Sequence, residues 1–174
     1  MLRRSAYAVA VALLACNTMV FAHGPSRQKV TEQIEIKATP AKVWDKVKDF
    51  NGLPAWHPAI ASSTATDGSK VGSVRTLTLK SGGKIVEELE AYDEATMTMK
   101  YRMKEGALPV STYTATLAVK AGPNGGAVVE WRGAFYRGHP GNNPPPELND
   151  EAAVKAITGV YQSGLANLKS IVEK

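Results

Sequence analysis

One cysteine and three histidines are all the thiol and imidazole ligands that 174 residues offer. The cysteine, Cys16, falls within the first 22 residues, which read as an export signal. Arg3 and Arg4 form a charged start, residues 6–20 form an apolar run broken only by Asn17 and Thr18, and Val20-Phe21-Ala22 provides the ending a signal peptidase accepts. Cleavage is expected before His23. A mature chain without a thiol excludes disulfides, thiolate metal sites and cysteine nucleophiles together. Leu13-Leu14-Ala15-Cys16 also resembles a lipoprotein box, in which Cys16 would be lipidated and kept; the site at Ala22 fits the longer apolar run better. The expected location is the periplasm, away from cytoplasmic pools of ATP and NAD.

Other absences narrow the function further. No stretch reaches the roughly 20 apolar residues of a spanning helix, so no membrane span is expected. Of 21 basic and 16 acidic residues, Arg3 and Arg4 leave with the signal, so 19 basic residues face 16 acidic ones, scattered rather than clustered with aromatics. That pattern excludes a nucleic-acid reader, while a mildly basic surface favours acidic protein partners. Serine triads, paired-carboxylate sites, phosphate loops and zinc clusters are missing. No catalytic residue, metal or cofactor is expected, and support for an enzyme is slight.

What is present is a single domain over residues 23–174, 152 residues long, enough to bury a core without staples. Residues 29–37 alternate as a strand, with Val30, Ile34 and Ile36 apolar. Thr39-Pro40 opens a helix through residue 50, Thr39 as N-cap and Pro40 in the first turn. A short second turn covers residues 53–58. Strands follow at 58–65, 72–80, 84–92, 96–104, 111–120 and 127–137, separated by turn signals such as Asp67-Gly68 and Ser81-Gly82-Gly83. After a Gly/Pro/Asn loop, Ala153, Ile157, Val160, Tyr161, Gly164, Leu165, Leu168 and Val172 mark one face of a long helix over 150–172. Seven antiparallel strands must curve, and the one long helix is what they wrap. The expected fold is α+β, a helix-grip.

Several segments carry a resemblance in order along the chain: residues 34–44, Asp49-Phe50, Trp56-His57-Pro58, residues 71–75 and residues 87–93. They resemble the START-type polyketide cyclase/dehydrase and lipid-transport superfamily (SRPBCC). Within it, the start His23-Gly24-Pro25 and the Trp56-His57-Pro58 turn are similar to the MxaD-like periplasmic proteins of methylotrophic bacteria. That resemblance implies an accessory role in methanol oxidation, assisting methanol dehydrogenase with its cytochrome c acceptor. The contact surface would be the proline-rich loop at residues 138–147, where consecutive prolines reduce the entropy lost on docking; the same prolines equally suit a rigid connector into the last helix.

Period-2 alternation sorts side chains by face. Met97, Met99, Tyr101 and Met103 share the concave side, as do Arg75 with Leu77 and Leu79, Ile85 with Glu87 and Leu89, Tyr113 with Ala115 and Leu117, and Val129 with Trp131 and Phe135. This face holds only two charges. A hairpin closed by Ser81-Gly82-Gly83 would bring Arg75 and Glu87 within reach of each other, either as a structural pair or as a polar anchor in an apolar pocket. Hence the alternative function: a carrier or sensor of a small hydrophobic ligand held between sheet and helix. The expected cavity residues are Trp56, His57, Arg75, Leu77, Glu87, Met99, Tyr101, Tyr113, Trp131 and Phe135. His57 without an acidic neighbour reads more as a packing or capping residue than as a general base. The methionines read as core filler. Gly159 and Gly164 either make room for a ligand or let the sheet come close. A copper site at a free amino-terminal His23 lacks a second histidine placed by the sequence.

Overall fold

The computed structural model describes residues 24–174; the segment expected to be an export signal, with Cys16, and His23 lie outside the described residues. The chain runs β1 (Gln28–Ile36), α1 (Pro40–Val47), β2 (Ile60–Ala65), β3 (Val74–Leu79), β4 (Lys84–Asp93), β5 (Thr98–Gly106), β6 (Val110–Ala121), β7 (Ala127–Arg137) and α2 (Asp150–Val172). Short 3-10 turns follow α1 (Leu53–Ala55) and precede β7 (Pro123–Gly125) and α2 (Pro146–Leu148). The strands form one antiparallel sheet in the order β1-β7-β6-β5-β4-β3-β2, a helix-grip with α2 across its concave face. Among the described residues no helix is long and apolar enough to cross a membrane.

Local chemistry sets the ends of the elements. Thr39 Oγ1 accepts from the Lys42 N–H at the start of α1, and Asn149 Oδ1 accepts from the Ala152 N–H at the start of α2, whose first turn carries Asp150 and Glu151. Helix α1 stops three residues short of the expected Phe50. The Phe50 N–H turns to Ser69 Oγ and its ring enters the core, so the backbone cannot continue the helical ladder. Strand β5 begins at Thr98, not residue 96, because Met97 takes a left-handed conformation (φ 49°) in the turn. Met97 and Met103 are only half-buried, while Met99 is core.

Curvature comes from breaks in pairing. The register shifts between Leu89 and Ala91 on β4, between Ser111 and Thr114 on β6, and near Ser62 on β2. Thr112 has a positive φ of 50° at the second of these. Each extra residue bends its strand and increases twist, which lets seven strands fold over one helix.

The faces follow the alternation. Lys100 and Arg102 point outward and pair with Glu90 and Glu88, whereas Met99 and Tyr101 are buried. Helix α2 buries Ala153, Ile157, Tyr161, Gly164, Leu165, Leu168 and Val172, mainly against β1 and β7. The β3–β5 half of the sheet is covered less fully, and the cavity lies there. The expectation of only two charges on this face misses Arg137, which is buried at the end of β7 on the same parity as Trp131 and Phe135 because it ties the following loop down. Its Nη1 donates to Asp150 at 2.9 Å, Nη2 to the Gly141 carbonyl at 2.7 Å and Nε to the His139 carbonyl at 3.1 Å.

Candidate functional site

Arg75 on β3 and Glu87 on β4 are direct partners in the sheet register. Both Arg75 Nη2 and Nε reach Glu87 Oε2, at 2.6 and 2.7 Å, and Nη1 donates to the Phe50 carbonyl. The guanidinium carbon lies 4.1 Å from the Phe50 ring centroid and 4.9 Å from that of Tyr101. Arg75 is 3% exposed and Glu87 5%, so water does little to compensate either charge. Two buried charges are tolerable when they meet with hydrogen bonds, as these do.

An aromatic cluster stands beside the pair. Trp131 stacks on Tyr161 of α2 with centroids 4.5 Å apart and planes 14° from parallel. Its indole N–H donates to the Tyr101 hydroxyl at 2.8 Å, and the hydroxyls of Tyr113 and Tyr161 are 2.7 Å apart. Burial pushes the ionisation of Tyr101, Tyr113 and Tyr161 well above the usual phenol range, with the Glu87 charge adding to the effect. Gly133 of β7 makes this possible, because a Cβ there would collide with the Tyr161 hydroxyl.

His57 fastens the Trp56-His57-Pro58 turn to the helix. Its Nδ1 accepts from the Ala59 N–H at 3.2 Å, which leaves Nε2 to carry the proton and donate to the Val160 carbonyl at 2.9 Å. Burial lowers its pKa from 6.5; the Val160 hydrogen bond opposes that shift and the nearby Arg75 charge adds to it. Both ring nitrogens are engaged, which leaves no basic nitrogen for proton abstraction. Asn167 adds a second tie, donating to the Trp56 carbonyl at 2.8 Å. Gly164 permits the approach, since a Cβ would lie 2.6 Å from His57 Cδ2 and 2.9 Å from the Trp131 ring. Gly159 faces open space and plays no such part.

Between these groups and α2 lies a cavity of about 170 Å³. Of the ten residues expected there, His57, Arg75, Leu77, Glu87, Tyr101, Tyr113 and Trp131 line it. Trp56 and Met99 border a separate space of about 10 Å³, with Arg75, Tyr101 and Trp131 as the partition between the two. Phe135 packs against Tyr113 in the core, 6.3 Å between centroids, and borders neither. Sequence reasoning did not place Ile60, Ser81, Leu108 or Val160 at the cavity, or Phe50 under Arg75. Leu108 and Ser81 sit in the turns flanking β5–β6 and β3–β4, and these turns touch: a Cβ on Gly83 would meet that of Ala107 at 2.9 Å. They form the rim opposite α2. Among the described residues no cluster of three or more His, Cys, Asp or Glu side chains is arranged to hold a metal.

The family described as polyketide cyclase/dehydrase and lipid transport matches residues 27–173, from the start of β1 to the end of α2. The chain belongs to that family. No curated protein matches it significantly. Among solved structures it is similar to the XoxI protein of Bacillus cereus, with 33% identity, a TM-score of 0.72, and 83% of this chain and 94% of that one covered. It is also similar to an uncharacterized protein of Bacillus thuringiensis, with 31% identity, a TM-score of 0.73, and 84% and 100% of the chains covered. Ara h 8.0201 shares the fold at 22% identity and a TM-score of 0.67, over 84% of this chain and 98% of its own.

Proposed function

We propose that this family member is an exported binding protein that holds a small, largely apolar molecule between α2 and the β3–β5 half of the sheet. The observation that carries the reading is the 170 Å³ cavity, mostly apolar, with the Arg75–Glu87 pair, His57, Ser81 and the tyrosine hydroxyls as its polar groups. Most of the surrounding polar groups are already bonded within the protein, an arrangement suited to retaining a molecule more than to transforming it. Protein isolated from its native periplasm and analysed by mass spectrometry after denaturation should release a small organic compound in stoichiometric amount. Export itself predicts a mature chain beginning at His23; recovery of an uncleaved chain from the cytoplasm would contradict that part.

A second reading is favoured by the likeness to XoxI over most of both chains, taken with the MxaD-like resemblance of the Trp56-His57-Pro58 turn. In it the protein is a periplasmic accessory factor that assists methanol dehydrogenase and its cytochrome c. Arg137 supports this reading by fixing the loop after β7 through three hydrogen bonds, so that a contact surface there would dock with little loss of entropy. The mature protein added to methanol dehydrogenase and cytochrome c at low salt should raise the rate of electron transfer. No rate change and no binding to either protein at any ionic strength would remove this role.

A further inference from the structure

We infer that the cavity selects a neutral, single-ring-sized molecule bearing one hydrogen-bond donor, which it orients on Oε1 of Glu87. This inference rests on the binding reading above and names its ligand class. Size comes first. An apolar protein cavity of about 150 Å³ holds benzene, whereas drug-sized ligands occupy about 300–1,000 Å³. At about 170 Å³ this one accommodates a ring with one or two further atoms and excludes a sterol or a long acyl chain.

The polar groups around the cavity then set the chemistry. His57 spends both nitrogens on Ala59 and Val160. The Trp131 N–H is committed to Tyr101, and Tyr113 to Tyr161. Three of the five Arg75 N–H groups go to Glu87 Oε2 and the Phe50 carbonyl, which leaves its charge compensated by Glu87. Glu87 Oε2 thus receives two of them. Oε1 receives no hydrogen bond from any described residue, yet it is not sealed from solvent, and the 5%-exposed Glu87 borders the cavity. A carboxylate oxygen only accepts, so a ligand that engages Oε1 must supply an O–H or N–H. An anionic ligand would set its charge against this oxygen where little water screens it.

Titration calorimetry of the mature protein with phenol, toluene and benzoate separates the possibilities. Phenol and toluene are nearly the same size, so their difference reports the donor. Phenol should bind about ten-fold more tightly than toluene or better, as a hydrogen bond to a charged acceptor allows, and benzoate more weakly than both. Equal affinity for phenol and toluene would overturn the donor inference while leaving the binding reading in place; binding of none of the three would overturn both. The double variant Arg75→Met with Glu87→Leu removes both charges together and so strands neither. It should bind toluene as before and lose the preference for phenol. A double variant that still prefers phenol would show that another group receives the donor, and Glu87 would lose its role.

Discussion

Arg75 and Glu87 face each other across β3 and β4 and join through a 2.6 Å contact between Nη2 and Oε2, inside a concave face whose neighbouring residues are mostly apolar or aromatic. Removing one partner strands the other. Glu87→Gln should therefore cost on the order of 3–5 kcal/mol in urea unfolding, and the double change Arg75→Met with Glu87→Leu much less than either charge removal alone. Glu88→Gln on the convex face should change little, since Glu88 meets Arg102 and Lys104 in solvent. Equal small effects at residues 87 and 88 would contradict the buried pair.

The two glycines of α2 should respond in opposite directions to alanine. Gly164→Ala puts a methyl against His57 and Trp131 and should destabilise by about 1–3 kcal/mol. Gly159→Ala meets open space on an exposed helical position and should stabilise by about 0.5–1 kcal/mol. Thermal unfolding of the two variants decides this.

Tyr161→Phe keeps the stack on Trp131 but leaves the buried Tyr113 hydroxyl without its partner, at a cost of about 1–3 kcal/mol. Adding Tyr113→Phe should recover part of the loss, because no unsatisfied hydroxyl then remains. A double-mutant cycle in urea measures the coupling directly.

His57 should give stability a pH slope. Burial lowers its folded pKa below 6.5, so the unfolded chain takes up a proton first as pH falls. The stabilisation is complete above pH 6.5 and is lost progressively as pH drops toward the folded value. Unfolding midpoints measured from pH 7.5 down to 5.5 should fall in the wild type. In His57→Gln the curve should be flatter, though from a lower starting point because the tie to Val160 is altered.

The strands were legible because alternating side chains and turn residues mark both the faces and the ends, and the short Ser81-Gly82-Gly83 turn fixed the Arg75–Glu87 register. The limits of the cavity were not legible. Alternation tells which face a residue occupies, but the path of α2 decides which part of that face stays open. Phe135 lies on the β7 side that α2 fills, and Trp56 and Met99 lie beyond the Arg75–Tyr101–Trp131 partition. Tyr161 was visible as a buried helical position, and Gly133 among the large inward residues of β7 was a trace of its hydroxyl. The early end of α1 depends on a hydrogen bond to Ser69, 19 residues away, which no local pattern reveals.

The central claim is that the space between α2 and the β3–β5 half of the sheet receives a small apolar molecule. Methyl-resolved NMR during a toluene titration tests it most directly. Saturable shifts are expected at Leu77, Ile85 and Leu108, which line the cavity, while Ile36 and Val172 at the other end of the core stay unmoved. Shifts that never saturate, or saturable shifts at Ile36 and Val172 without any at Leu77, would contradict it.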